Sequence, residues 1–266
     1  MGENGPTFVR CPPVYEYDEK FYRYINDGAL NSARRVLPVL LSVLPSKPVS
    51  VLDAGCGAGA WLSVWKTLGA EVTGLDGDYV QPSQLLIDPQ EFQASDLSAG
   101  FDLQRRFDLA QSLEVAEHLP QASAALLVDS LCRHADIVLF SAAPPGQGGE
   151  NHINEQSYGY WRSLFRERGY RMYDPLRAAV RGDTSVMPWY RFNSFLYVGD
   201  AAGESVHHAL AAWLVPEGQP VADVSPGWYR LRKRLVRLLP ASAGTWLAIL
   251  KKSLYGVSLK LRAGRG

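Results

Sequence analysis

The chain has 266 residues, of which 47% are apolar and 20% charged, enough for one substantial core and unlike a disordered or fibrous protein. Its cysteines, Cys11, Cys56 and Cys132, lie far apart and form no C-x-x-C pair, which excludes a disulfide framework or thiolate zinc site as the organising element. Residues 1–13 lack a secretory pattern and no apolar run reaches the roughly 20 residues that cross a bilayer, so a cytoplasmic protein is expected.

Charge is balanced overall but unevenly distributed along the chain. Residues 224–266 carry ten Lys or Arg and no acidic side chain, so residues 1–223 carry 17 basic against 27 acidic side chains, a formal charge of −10. An acidic body followed by a basic tail indicates two segments with different roles.

Strands and helices are predicted to alternate through most of the chain. Apolar residues at helical spacing over 19–44 predict one or two helices that end before Pro45. Strands are predicted at 49–53, 71–75, 92–94, 107–112, 136–141 and 192–198, and further helices at 61–68, 122–133 and 156–168. This alternation predicts an α/β fold with a parallel, doubly wound sheet.

The basic tail contains two amphipathic patterns. Apolar residues recur on one helical face at Trp228, Leu231, Leu235 and Leu238, and a second series runs from Trp246 to Leu261. Basic amphipathic helices of this kind are typical of segments that lie on anionic lipid, so peripheral membrane contact through 226–262 is one interpretation. The other is two helices docked on the acidic body with their charges in water. Nucleic acid is not expected as a partner, because the sequence contains no recognisable RNA- or DNA-binding module beside the basic tail.

A glycine-rich turn, Asp53-Ala-Gly-Cys-Gly-Ala-Gly59, follows the first predicted strand and opens a helix. Glycines there permit positive φ angles and let a ligand lie against the backbone. The turn alone is ambiguous, since Gly55, Gly57 and Ala60 also satisfy the dinucleotide pattern G-x-G-x-x-A. Asp53 favours a cationic group over a pyrophosphate, and Asp76, at the end of the next strand, is placed to accept ribose hydroxyls.

These residues resemble the class I S-adenosylmethionine (SAM)-dependent methyltransferases over residues 45–200. Val51–Gly59 looks like the family's first motif, Asp76 its ribose-binding acid, 95–97 its adenine-contacting stretch, and 107–119 its fourth-strand motif. The resemblance implies a Rossmann-like, doubly wound seven-stranded sheet with a reversed last strand, and SAM as cofactor. The implied cofactor contacts are Asp53, Gly55, Gly57, Gly59, Asp76, Asp96 and Leu97. Asp96 has the alternative of capping a turn.

The expected organisation has three parts: an N-terminal helical cap over 1–44, the SAM-binding domain over 45–200, and a linker with basic helices over 201–266. Residues 141–155 look like methyltransferases of bacterial polysaccharide or glycolipid synthesis. This resemblance implies methyl transfer to oxygen of a small-molecule or lipid-linked glycosyl acceptor. Two alternatives stay open: an NAD(P)-dependent oxidoreductase on the same topology, and a SAM-binding scaffold without turnover.

Two histidines are the candidate catalytic residues, because a hydroxyl acceptor needs a base that takes its proton. His152 lies in a polar loop after the fifth strand and is preferred, with capping of the helix near Gln156 as its alternative. His118, after the fourth strand, ranks second and is expected to bond within its own turn. Glu114 and Glu117 are expected to flank the cofactor side, and the alternative for Glu117 is a solvated side chain. No metal site is predicted. The alternative is that Glu150, His152 and Glu155 bind a divalent ion.

Overall fold

The computed structural model describes residues 19–238, with side chains from residue 26 onward. Its strands are β1 (Ser50–Ala54), β2 (Glu71–Asp76), β3 (Phe92–Ala94), β4 (Leu109–Leu113), β5 (Ile137–Ser141), β6 (Tyr170–Tyr173) and β7 (Phe195–Gly199). Its helices are α1 (Glu19–Val43), α2 (Ala60–Thr67), α3 (Ala124–His134), α4 (Tyr158–Arg166), α5 (Leu176–Val180), α6 (Pro188–Asn193), α7 (Glu204–Leu210) and α8 (Gly227–Val236). Cys11 and the amphipathic series from Trp246 to Leu261 lie outside the described residues.

All seven strands join one sheet in the order β3-β2-β1-β4-β5-β7-β6. Strands β1 to β5 pair in parallel, whereas β7 runs antiparallel to both β5 and β6. The predicted fold class, including the reversed last strand, is confirmed. Two details differ: β6 was not predicted, and Phe192 belongs to α6 rather than to the last strand.

The sheet is covered on both faces, which explains the continuous apolar runs of its central strands. Every residue of β4 is buried, and the two apolar clusters lie on opposite faces of the sheet. Helices α1, α2 and α5 contribute to one cluster, and α3 and α4 to the other. Trp161 and Phe165 of α4 are core residues.

The parallel strands direct their carboxyl ends to the same edge of the sheet, where open α/β sheets bind their ligands. Register sets which side chains meet there: Asp53 of β1 pairs with Gly74 of β2 on one side and with Gln111 of β4 on the other. Within residues 19–238, no helix combines the length and the apolar character needed to cross a bilayer.

Helix α8 confirms the predicted amphipathic helix but docks through an unexpected face. Its buried side chains are Tyr229 and Lys233, the latter donating to Asp223 Oδ2 at 2.6 Å. The apolar stripe of Trp228, Leu231, Leu235 and Leu238 points outward, with 56–81% of each residue exposed. Helix α8 thus docks on the body, as the second interpretation states, but through a part-buried ion pair and a tyrosine, and not with all of its charges in water.

Candidate active site

The glycine turn connects β1 to α2 through three residues with positive φ: Gly55 at 90°, Gly57 at 53° and Gly59 at 81°. Two of them are packed too closely for a side chain. A Cβ on Gly55 would lie 2.2 Å from Val115, and one on Gly59 would lie 2.9 Å from Ile87. A Cβ on Gly57 would meet nothing within 4 Å, so the turn opens to free space at this residue.

Asp53 lies beside this turn and is 3% exposed. Gln111 Nε2 donates to Asp53 Oδ2 at 2.8 Å, and Trp65 Nε1 donates to Gln111 Oε1 at 3.0 Å, which fixes the amide's orientation. Burial raises the pKa of Asp53 to about 7; the Gln111 hydrogen bond opposes this rise and the neighbouring Asp76 adds to it. A buried carboxylate in this state favours a cationic ligand, which would restore its ionised form.

Asp76 ends β2 and holds the turn from the other side. Its Oδ2 accepts from Gly57 N at 2.7 Å, and its Oδ1 accepts from Gly77 N at 2.7 Å and from the Tyr79 hydroxyl. A carboxylate has about four lone-pair sites, so a ribose diol would compete with the half-exposed Tyr79 for Asp76. The acidic pair, the positive-φ glycines and the free space at Gly57 together fit the cationic, ribose-bearing SAM.

The two remaining proposed cofactor contacts occupy the turn after β3. Asp96 Oδ1 accepts from Ser98 N at 2.9 Å and from Ser98 Oγ at 2.6 Å, so this carboxylate caps the turn, as its alternative interpretation states. Leu97 is buried in the core. An adenine contact for these two residues stays a prediction.

A network of amides surrounds Glu114, which follows β4 with a positive φ of 57°. Its carboxylate accepts from Gln147 Nε2 at 2.6 Å and from Asn193 Nδ2 at 3.2 Å, and Asn193 also donates to Gln147 Oε1 at 2.7 Å. Burial raises the pKa of Glu114, and these two amides oppose the rise. Sequence reasoning missed Gln111, Gln147 and Asn193; the one available signal is the amide of Gln111 within an apolar strand.

The candidate catalytic histidines lie side by side next to a buried carboxylate. The rings of His118 and His152 meet edge to face with centroids 4.9 Å apart. Burial and the nearby His152 lower the pKa of His118 to about 4, against the Asn151 carbonyl, so His118 is neutral near pH 7. Glu117 is wholly buried, which excludes the alternative of a solvated side chain. Burial and the adjacent Glu114 raise its pKa.

The two histidines contact different segments. His118 N donates to Val115 O at 2.9 Å within its own turn, as expected, while its side-chain Nδ1 lies 3.3 Å from Asn151 O in the loop after β5. His152 Nδ1 lies 2.9 Å from Glu155 Oε1, and Ser157, not His152, caps α4 by accepting from Tyr160 N. Main-chain hydrogen bonds also join the segment after β4 to the loop after β5, because Glu117 O accepts from the amides of residues 153 and 154.

Glu155 already accepts hydrogen bonds from two backbone amides, which disfavours the alternative Glu150–His152–Glu155 ligand set. Its Oε2 accepts from Gly146 N and its Oε1 from Gly148 N, both at 2.7 Å. Burial opposes ionisation of Glu155, but the hydrogen bonds from His152 and these amides outweigh it, and its pKa is lowered. Within the described chain, the three ligating side chains that converge are instead Glu117, His118 and His152.

Helix α8 fixes the loop that carries Gln147. Arg232 Nη1 donates to Gln147 O and Arg237 Nε donates to Pro145 O, both at 2.7 Å. A Cβ on Gly146 would lie 2.2 Å from Lys233 O, so the helix and the loop are in close contact. The basic tail therefore begins as part of the wall of this site.

The sheet order with its antiparallel β7, the acidic glycine turn and the acid at the end of β2 define the class I methyltransferase fold. A family model described as "Methyltransferase domain" matches residues 30–178, more than half of the chain. The chain therefore belongs to the class I SAM-dependent methyltransferases, and SAM, not a dinucleotide, is its cofactor.

Curated relatives match parts of the chain. It is 38% identical over 89 residues to a malonyl-[acyl-carrier protein] O-methyltransferase of Pseudescherichia vulneris, covering 32% of this chain and 36% of that protein. It is 29% identical over 126 residues to a ubiquinone biosynthesis O-methyltransferase of Rhodopseudomonas palustris, covering 44% and 47%. The alignments thus span about half or less of these relatives.

Solved structures share the fold at low sequence identity. A sugar N-methyltransferase from a Streptoalloteichus species aligns with a TM-score of 0.54 and 17% identity, over 75% of this chain and 99% of that one. Magnesium protoporphyrin IX methyltransferase from Synechocystis with bound SAM aligns with a TM-score of 0.50 and 19% identity, over 70% and 87%.

Replacing Gly57 with Ala tests the free space beside the turn. The variant is expected to fold, at a cost of about 1 kcal/mol for an alanine at positive φ, because the new methyl group meets no protein atom. It is expected to bind SAM at least about tenfold more weakly, since the methyl group enters the space left for the ligand. Calorimetric titration measures the affinity. Gly218→Ala, which is also unobstructed and also at a positive φ, is the matched control, and equal SAM affinities for the two variants would contradict the assignment.

Proposed function

We propose that this protein transfers the methyl group of SAM to a hydroxyl oxygen of a small-molecule acceptor, bound where β4 and β5 end. The observation that carries the proposal is the cluster of the buried Glu117 and the partly buried His118 and His152, in a segment that packs on the cofactor turn. Val115, two residues before Glu117, packs against Gly55 of that turn. SAM supplies an activated methyl group and its own leaving group, so the protein's task is to position the acceptor and take up its proton.

The proposed catalytic residues are His152 first and His118 second. His152 Nδ1 contacts Glu155, and His118 Nδ1 contacts a backbone carbonyl, which favours the tautomers with an unprotonated Nε2. Each ring then has a nitrogen free to accept a hydroxyl proton. Glu155 acts as a positioning residue, because two loop amides hold its carboxylate against His152.

Acceptor chemistry is proposed from the relatives' names and from the aromatic residues near the site. Both curated relatives are O-methyltransferases by name, which supports oxygen over nitrogen. For the narrower proposal of a glycosyl acceptor, α6 provides a partly exposed Trp189 beside Tyr190, whose ring meets Trp61 at 5.1 Å. Burial raises the pKa of Tyr190, and both Glu114 and Asp53 add to the rise.

The acceptor assignment is tested with the full chain and SAM labelled in its methyl group. Matched acceptors that differ in one group, a sugar hydroxyl or a sugar amine at the same carbon, are compared with a phenol and with lipid-linked sugars from cell envelopes. Label in an ether product is the expected result. Label only in an amine would overturn the choice of oxygen, and SAM binding with no labelled product in any fraction would favour a scaffold without turnover.

For peripheral membrane contact, the supporting observation is the outward apolar stripe of α8, defined by Trp228, Leu231, Leu235 and Leu238. We propose that this stripe lies on an anionic lipid surface. The exposed Arg230 and Arg234 flank it, and no acidic residue follows position 223. Each basic side chain near such a surface contributes about 1 kcal/mol.

Vesicle sedimentation tests this contact. The full chain is expected to sediment with vesicles that contain anionic lipid and to bind neutral vesicles at least about tenfold more weakly. Replacing Leu231 and Leu235 with Ser should reduce binding, whereas Leu126→Ser, at an exposed leucine of α3, should not. Unchanged vesicle binding by the α8 variant would show that the apolar stripe does not contact the lipid surface.

A further inference from the structure

Glu117 presents an unusual buried carboxylate. Its side chain is fully inaccessible to solvent, and neither carboxylate oxygen forms a hydrogen bond of normal geometry among residues 19–238, although the backbone amides of Glu117 and Ala143 and the carboxyl group of Glu114 lie nearby. A buried carboxylate without a partner is costly, and proteins keep such groups when they bind a metal ion or stay protonated. The main chain holds Glu117 in this buried position, because the Glu117 carbonyl accepts hydrogen bonds from two backbone amides of the loop after β5.

Two imidazoles complete the surroundings of this carboxylate. One ligand atom each from Glu117, His118 and His152 can be chosen so that all lie within 4.8 Å of one another. Each ring already has its Nδ1 against an acceptor: Asn151 O at 3.3 Å for His118, and Glu155 Oε1 at 2.9 Å for His152. This is the pattern of metal-bound histidines, whose second nitrogen donates to a carbonyl or carboxylate.

We propose that Glu117, His118 and His152 bind a divalent transition-metal ion of the Zn²⁺ or Mn²⁺ type. Two imidazoles and one carboxylate are the donor set of catalytic zinc sites and of other first-row metals, whereas Mg²⁺ and Ca²⁺ prefer sites built from oxygen ligands. Glu114 lies next to the set, but its own oxygens already accept hydrogen bonds from Gln147 and Asn193.

Three protein ligands leave coordination positions for the acceptor. A hydroxyl bound there loses its proton more readily: the O–H bond breaks, the proton passes to solvent water, and the negative charge stays on the oxygen beside the cation. This part of the inference rests on the proposed function, and it changes the role of His152 from proton acceptor to ligand. The binding of the ion itself requires no acceptor.

The test is calorimetric titration of the chelator-treated full chain with Zn²⁺, Mn²⁺ and Mg²⁺. The expected result is one saturable site for Zn²⁺ and Mn²⁺, weaker binding of Mg²⁺, and at least about 100-fold weaker binding of Zn²⁺ in Glu117→Gln and His152→Ala. His208→Ala, at an exposed histidine of α7, should bind as the parent does. Absence of a saturable site, or equal affinity in Glu117→Gln, overturns the proposal and indicates a protonated Glu117.

A spectroscopic measurement covers the case in which Glu117→Gln does not fold. Co²⁺ bound by the parent chain should give visible absorption bands of a site with nitrogen ligands, and His152→Ala should lose them; bands unchanged in that variant overturn the proposal. Methyl transfer at full rate after complete chelation would show that the reaction needs no cation, and it would not contradict the proposed function. Metal binding without methyl transfer to any hydroxyl would support the metal site and contradict the proposed function.

Discussion

Asp53→Asn is expected to weaken SAM binding by roughly 10- to 100-fold at pH 8, because it removes the negative charge that we propose faces the cationic cofactor. The substitution keeps the shape of the side chain and leaves an oxygen to accept from Gln111 Nε2. Folding should therefore be preserved, and the change should appear in the dissociation constant measured by calorimetry. Asp136→Asn, which alters a carboxylate at the opposite edge of the sheet, should leave SAM affinity unchanged.

The same residue predicts a pH dependence of SAM binding. Since the pKa of Asp53 is raised to about 7, the carboxyl group gains a proton as the pH falls through 7. Binding a cation then requires this proton to leave, so the dissociation constant should rise by up to about tenfold for each pH unit between 7 and 5.5. The α-ammonium group of SAM stays protonated over this range. A flat profile for the parent chain, equal to that of Asp53→Asn, would show that Asp53 does not face the charge.

Much of the cofactor half of the site was predictable because it is local in sequence. The turn from Asp53 to Gly59 needs glycines at given positions, and its spacing to Asp76 follows from one βαβ unit. The family resemblance rests on these short-range patterns. The placement of His152 after β5 follows from the same alternation of elements.

The acceptor half depends on contacts between distant segments, which leave no periodic signal. Glu114, Gln147 and Asn193 meet from three loops and helices separated by 33 to 79 residues. The burial of Glu117 was missed for the same reason, since the loop after β5 covers it. The short strand β6 has only four residues, and its pairing with β7 decides its structure more than its composition does.

The helix α8 illustrates a different limit of sequence reasoning. Helical periodicity identifies an apolar face but does not say whether that face is the one that docks. Here Lys233 with Asp223, and Tyr229 against Phe192 at 5.6 Å, form the contact with the body. A buried lysine needs a partner such as Asp223, and that partner lies in a loop outside α8, so the helical pattern does not reveal it.

His152→Ala is expected to lower kcat by about 100- to 10,000-fold while leaving the SAM dissociation constant unchanged. Both roles considered for His152 give this result, because the imidazole either takes the acceptor's proton or holds the cation that makes it acidic. Neither role involves Asp53 or Asp76, which lie on the cofactor side of the site. Single-turnover measurement with labelled SAM and calorimetry on the same preparation separate the two quantities, and His208→Ala serves as the control.

Glu155→Gln then distinguishes a positioned imidazole from a histidine that only fills space. Glutamine keeps the volume and one acceptor oxygen but weakens the anchor that Glu155 provides between His152 Nδ1 and the amides of Gly146 and Gly148. We expect kcat to fall by about 10- to 100-fold, less than for His152→Ala, with KM for the acceptor nearly unchanged. In the double variant the loss should equal that of His152→Ala alone, since Glu155 acts through the imidazole. Additive losses would mean that Glu155 acts on the reaction by a separate route.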